Sequence, residues 1–295
     1  MEFEEKDNVI FSFSVENKPV AELSPGEILV VETADSFNGQ VLESGQSLAD
    51  IDWNRTGPVT GPFYINGAEP GDALEIEILE IKAAQQGIIA AGPDRGILPD
   101  AGAGEAKILK LSGNSLILAE GLSVPTQPMI GIIGVAPEKG EIRTRLPGPH
   151  GGKLNTREIS PGSKVCLPVF QAGAFLALGD VHLLLGDGVV SGSGIGASAE
   201  VKFRAELIKG MKLTGPRVVT EAGIYFLASA STLAEAIESA CKAGINYISQ
   251  TTGLPFAEAY MLAGAVGQLG FCQAASSPYT VKFFVPRLLK LLQRE

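Results

Sequence analysis

The chain has only two histidines, three cysteines and one tryptophan in 295 residues. Two histidines exclude any three-histidine metal centre, and a Ser-His-Asp triad would have to use His150 or His182. Cys166, Cys241 and Cys272 are odd in number, widely spaced and set among apolar neighbours. They cannot build a disulfide framework and read as reduced, buried thiols of a reducing compartment. Only 19% of residues are charged, which argues against a large disordered fraction. No uncharged apolar run reaches the ~18 residues of a membrane-spanning helix. The acidic start, Met1-Glu-Phe-Glu-Glu-Lys6, lacks both the basic and the apolar region of a secretory signal, so a cytoplasmic protein is expected. Basic residues are short too. The 23 Lys and Arg stand against 33 Asp and Glu, giving a net charge of −10 and a pI of about 4.9. Such a surface is soluble and unsuited to nucleic acid, because phosphate backbones demand clustered Lys and Arg. The one modest basic group, Lys282, Arg287, Lys290 and Arg294, alternates with apolar residues and reads as a solvated face.

What is present is apolar material and turns. Hydrophobic residues make up 45% of the chain, and 36 Gly and 18 Pro are spread along its whole length. Turn formers between short apolar runs indicate a strand-rich fold. Strands are expected at 9–15, 27–33 and, most clearly, 73–81, where Leu74, Ile76 and Ile78 alternate with Glu75 and Glu77. Further strands are expected at 165–170, 174–185 and 201–207. The last third changes character. Thr232-Leu-Ala-Glu235 is a capping box opening an amphipathic helix that runs past Gly244 to about Ser249, and 256–267 forms a second helix. The expected fold is therefore α+β and mainly β, a sandwich or barrel-like core with a C-terminal helical pair. Residues 1–295 read as a single unit, with a soft division between a β-rich 1–165 and a 166–295 part that adds the helices. Those helices either cover the β core or mediate self-association, and a homo-oligomer, a dimer, is expected.

Chemistry-bearing residues are sparse. On a strand over 174–185, Asp180 and His182 share one face with Leu176, Leu178 and Leu184. Both faces are apolar, so an unpaired Asp or His there would cost several kcal/mol (roughly 2–7). The two side chains either converge on a divalent cation or brace the core as a hydrogen-bonded pair. Asp35 ends a strand and either lines a site or caps a turn. His150 lies in a Gly/Pro loop between Gly148 and Gly151-Gly152, where glycines allow close backbone approach to a ligand. Glu200 alternates with Lys202 and Arg204, the pattern of a surface ion-pair row. Cys166, in an apolar strand, reads as an inert thiol. The small-residue run Ser191–Ala199 lacks the Gly-Lys-Ser/Thr ending of a phosphate loop.

As an ordered set, several segments resemble the acetamidase/formamidase family. They are Glu32-Thr-Ala-Asp35, Gly57–Asp72 with the strand after it, Gly131–Pro137, His150-Gly-Gly-Lys-Leu-Asn155, Pro161-Gly-Ser163, Leu167–Phe170, and Ala174–His182 with Gly186-Asp-Gly188. The resemblance implies a largely β architecture, hydrolysis of short-chain amides such as formamide or acetamide, and a bound divalent metal, zinc or calcium, in some members. On that pattern Asp35, Asp180 and His182 are the expected metal positions, Glu200 and His150 the expected catalytic ones, and Gly151, Gly152 and Asn155 contact a small amide substrate. Metal-activated water is the expected nucleophile, with Glu200 as general base and the Gly151-Gly152 amides facing the oxyanion. Two alternatives accompany it: metal-free hydrolysis using Glu200 or Asp180 as base, and a non-catalytic ligand-binding protein of the same fold. Gly196 stands where many members carry Glu. Lys153 and Asn155 stand where the family loop carries Asn and Asp.

Overall fold

The alternation at Leu74, Ile76 and Ile78 becomes an eleven-residue strand, Ala73–Ala83, with those three side chains fully buried. It runs between Ala199–Ile208 and Lys164–Pro168 in the middle of a nine-stranded sheet. A second, eleven-stranded sheet is organised around Leu176–Leu184, which pairs with Met129–Gly134, Val59–Ile65 and Ile195–Gly196. One hydrophobic cluster joins the two sheets, with Leu29, Ile76 and Phe203 from the first and Phe63, Ile133 and Leu178 from the second. Phe63 and Phe203 meet across it, ring centroids 6.1 Å apart. The computed structural model that gives this architecture describes residues 2–3, 8–93, 95–98, 100–101 and 104–287. Lys290 and Arg294 of the basic group lie outside them.

The C-terminal helices follow their local signals. Thr232 accepts from the Glu235 amide while Glu235 reaches back to the Thr232 amide, closing the capping box. The helix extends over Leu233–Thr252, slightly past the expected end, and stops at Gly253, whose φ of 74° belongs to the left-handed region. Gly244 is tolerated inside it because a Cβ there would lie 2.4 Å from the Phe283 ring. Its absence lets the helix settle onto the strands Gly223–Ala230 and Tyr279–Pro286. With Phe256–Val266 it forms a second apolar cluster against that end of the sheet. The helices thus cover β structure, one of the two roles open to them. The mainly-β α+β fold with a C-terminal helix pair is as expected. No helix among the described residues is long and apolar enough to cross a membrane.

One strand departs from regularity in a way that builds the site. Ala174 and Phe175 have φ of 55° and 58°, so the strand expected from 174 starts at Leu176. Within it Asp180 has φ of 54°, a conformation that costs an L-residue about 1–3 kcal/mol and is best tolerated by Asp and Asn. Every residue from Leu176 to Leu183 is buried, which fits the reading of two apolar faces.

Candidate active site

Asp180 is completely buried, and its Oδ2 carries an ion pair with Lys153, whose side chain is 19% exposed. Lys153 ends the short strand Gly151–Lys153, which pairs with Met129–Gly134, the same strand that flanks Asp180 on its other edge. Gly131 lies between the two groups of the central strand. A Cβ on it would come within 2.8 Å of Asp180 Oδ2 and 2.9 Å of the His182 ring. Asp180 and His182 therefore converge, as their two-residue spacing predicts. Burial alone favours the protonated acid. The Lys153 ammonium, with a hydrogen bond from Ser36, outweighs it and holds the Asp180 carboxyl below the usual carboxylate range. Burial likewise pushes the His182 imidazole down, against the pull of Asp180, so neutral imidazole is the favoured form.

Lys153 and His182 line a cavity of about 350 Å³, together with Ser36, Asn155 and Gln273. Asn155, with φ of 47°, donates to Gln273 Oε1 at 2.9 Å, which aims its amide across the floor. Two buried polar atoms of the lining, Asn155 Oδ1 and His182 Nδ1, have no hydrogen-bond partner among the described residues, and the Ser36 hydroxyl lies against the Asp180 carboxyl. Buried polar groups are rarely left unpaired, and a cluster of them at one cavity marks where a polar ligand or ordered solvent completes the hydrogen bonding. The rim adds Arg95, Arg143 and Arg145.

The other expected site residues lie elsewhere. Asp35 is a turn cap: Oδ1 accepts from the Phe37 amide at 2.8 Å and Oδ2 from the Gly39 amide at 3.0 Å. Burial raises its pKa, and the charge of Asp180 adds to that, which places the two carboxyls in one neighbourhood. Asp35 is not in the cavity wall; the next two residues, Ser36 and Phe37, are. Glu200 does not reach the cavity. It lies on the nine-stranded sheet, 42% exposed, and pairs with Lys82 at 2.9 Å, so the ion-pair row is the right description. His150 is buried rather than exposed on its loop, edge-on to Phe13 with ring centroids 5.3 Å apart. Burial pushes it down to about 4, and neither ring nitrogen has a partner. Gly151 and Gly152 have φ of 101° and 83°, and a Cβ on either would come 2.2 Å from a carbonyl oxygen. The Gly151 amide donates to the Gly148 carbonyl, and neither glycine lines the cavity. Their role is to make a tight turn that delivers Lys153 and Asn155.

The side chains present do not make a divalent-metal ligand set. Among the described residues no three His, Cys, Asp or Glu side chains come together. Asp35 spends both oxygens on backbone amides, and Lys153 already sits on Asp180. A protein zinc site uses at least three such ligands and calcium six to eight oxygens. A cation would also face Lys153 and the rim arginines.

Lys153, Ser36, Gln273 and the arginines escaped the sequence reading as site residues. Lys153 was visible only as a departure from the loop pattern. The Arg143-Thr-Arg145 pair just ahead of the Gly/Pro loop was the other available signal.

Known proteins agree with this architecture. The family model described as "Acetamidase/Formamidase family" matches residues 4–141 and 138–281. The chain is 26% identical to the acetamidase of Mycolicibacterium smegmatis over 258 residues, an overlap covering 64% of this chain and 63% of that one. It thus spans less than two thirds of that relative's length. The crystal structure of an acetamidase from Bacillus halodurans is 36% identical, covers both chains completely and superposes with a TM-score of 0.96. The acetamidase from Yersinia enterocolitica, at 26% identity, covers all of this chain and 94% of its own, with a TM-score of 0.93. The sequence segments, the two-sheet fold and these matches together place the chain in the acetamidase/formamidase family.

Proposed function

We propose that this protein hydrolyses the C–N bond of a small primary carboxamide to a carboxylate and ammonia, and that it does so without a bound metal, in the cavity formed by Lys153, Asn155, His182 and Ser36. The observation that carries the reading is the gathering of unpaired acceptors beside one ammonium donor. A primary carboxamide presents two N–H donors and one carbonyl acceptor, the complement of that set. The Asn155 Oδ1 and Ser36 Oγ atoms accept from the amide NH2, and the Lys153 ammonium donates to the carbonyl oxygen.

The chemistry follows from those positions. His182, neutral because it is buried, takes a proton from water as the oxygen attacks the carbonyl carbon. Charge then develops on the former carbonyl oxygen, where the Lys153 ammonium, fixed by Asp180, stabilises it. The proton held by His182 passes to the departing nitrogen, ammonia leaves, and the acid formed gives its proton to that ammonia, so that a carboxylate and ammonium remain. Asp180 acts as a positioning residue. Its strained backbone and full burial hold Lys153 at one point, which is what a preorganised charge requires. The family membership and the acetamidase names of the relatives support the reaction class. The donor set described above is the reason no step runs through a metal ion.

The test is ammonia release by the purified chain from a panel of primary amides, neutral and charged, after exhaustive chelation. Turnover of at least one amide, unchanged by chelation, is the expected result. A folded protein that releases ammonia from none of them would end the proposal.

A further inference from the structure

The cavity is charged opposite to the protein that holds it. The chain carries a net charge of −10, yet Arg95, Arg143, Arg145 and Lys153 all line this one space, and among the described residues no carboxylate does. Nor does any described carboxylate form an ion pair with the three arginines, whereas Lys164, Arg204 and Lys209 along the nine-stranded sheet each have one. Arg95 stacks on Trp53, its guanidinium carbon 3.4 Å from the ring centroid. Arg143 donates to the amide oxygen of Asn54 at 2.9 Å. Both partners are neutral, so they fix the guanidinium groups without cancelling their charge. Arg145, half-buried, has no hydrogen-bond acceptor among the described residues. Gly57 makes room for it, since a Cβ there would lie 2.8 Å from Arg145 Cγ. Like charges so gathered repel one another, and burial adds to the cost: Arg95 and Arg145 are both pushed down, first by desolvation and then by a neighbouring arginine, and the charge of Asp180 only partly offsets this at Arg145.

Space points the same way. About 350 Å³ corresponds to roughly ten water volumes, far more than formamide or acetamide fills. With the amide held at Lys153 and Asn155, the remaining volume is bounded in part by Arg95, Arg143 and Arg145, which line the same cavity. A guanidinium fork matches a carboxylate with two parallel hydrogen bonds, and it does so best where water is thinned out.

We infer that the substrate is an anionic carboxamide, a small monoamide bearing a terminal carboxylate that Arg145 grips, with Arg95 and Arg143 supplying the surrounding field. This rests on the amide-hydrolysis reading for its reaction and extends it to substrate class. The balance is one water consumed, one C–N bond broken, one C–O bond formed, and a dicarboxylate and ammonium left as products, the proton of the new carboxyl passing to the ammonia. Only the amide end changes; the terminal carboxylate is a handle.

Matched amides that differ at one terminal group test it. Butyramide is compared with succinamate and propionamide with malonamate, ammonia being followed with the purified full chain. The carboxylate member of each pair is expected to have a kcat/KM at least ~10-fold higher, corresponding to about 1.4 kcal/mol. That advantage should shrink as salt rises from about 0.02 to 0.3 M, because it is partly screened charge. Arg145→Met should bring the ratio toward one. The wild-type ratio and its salt dependence need no variant to fold. Equal rates, or a preference for the neutral amides, overturn the anionic substrate while amide hydrolysis stands. A second readout does not depend on turnover: succinate should raise the Tm of the wild type and raise that of Arg145→Met less, whereas butane-1,4-diol should do neither. If no amide is hydrolysed but succinate stabilises in this Arg145-dependent way, the anion site stands and the hydrolysis reading falls. If succinate stabilises neither protein and no carboxylate preference exists, the inference is wrong.

Discussion

The outer face of the nine-stranded sheet and the cavity of the other sheet treat charge in opposite ways. On the sheet face, Lys164 meets Glu75, Arg204 meets Glu77, Lys209 meets Asp72 and Lys82 meets Glu200, at 2.5 to 2.9 Å. Each pair holds a cation at least 40% exposed, where water screens the interaction and little stability is at stake. At the cavity, a completely buried Asp180 holds Lys153, three arginines form no ion pair with any described carboxylate, and Asn155 Oδ1 and His182 Nδ1 are buried without a hydrogen-bond partner among the described residues. Pairing that merely solves solvation is cheap and local. Charge left unmatched inside a concave wall persists only if something else completes it, and this difference marks the cavity as the working part of the molecule.

The comparison can be broken most forcefully at Asp180. Asp180→Asn keeps the side-chain shape and suits the left-handed backbone, but strands Lys153 without its counter-ion. Loss of roughly 3–5 kcal/mol of folding stability is expected in chemical denaturation, together with loss of ammonia release. A protein of unchanged stability would mean the buried pair is not formed. Next comes His182→Gln, expected to lower kcat/KM by ~10²–10⁴ with the melting profile little altered. A smaller change would remove the imidazole from the proton transfer.

His150 sharpens the contrast from outside the cavity. Its folded pKa, near 4, lies below the ordinary 6.5, so between these values the unfolded chain binds more protons than the folded one. Its contribution is fully present above pH 6.5 and is lost as pH falls toward 4. Between pH 7 and pH 5 the wild type should lose on the order of 2 kcal/mol more stability than His150→Gln, measured by denaturant unfolding at both pH values. Parallel losses in the two proteins would show that the histidine is not held neutral. The smallest effect belongs to the sheet face. Glu200→Gln should shift the Tm by no more than about 2 °C and leave ammonia release unaltered. A large fall in activity would return Glu200 to the reaction.

Much of the fold was legible in the sequence because its signals are local. The period-two alternation of Leu74, Ile76 and Ile78 set one strand, and Thr232 with Glu235 set the start of the long helix. The same periodicity placed Asp180 and His182 on one face, and Asn155 of the Gly-Gly loop lines the same cavity as His182. The failures share a physical cause. The Lys153–Asp180 pair and the Ser36, Arg95 and Arg145 walls come from separate stretches that only the tertiary fold assembles, so no spacing announces them. Asp35 ended a strand and took the commoner role of turn cap. For Glu200 the alternation with Lys202 and Arg204 already indicated an ion-pair row, and the family position pulled the reading away from it. The burial of His150 against Phe13 cannot be read from its Gly/Pro loop, because it is decided by a strand more than a hundred residues earlier.

The account depends most on an ammonium, fixed by a buried carboxylate, at the point where an amide oxygen gains charge. Ammonia release by Lys153→Met, on the best amide of the wild type, tests that directly, with near-ultraviolet circular dichroism to establish that the fold is retained. A fall in kcat/KM of at least ~10²-fold in a folded protein is the predicted result. Activity within about threefold of wild type in a folded Lys153→Met protein would contradict it.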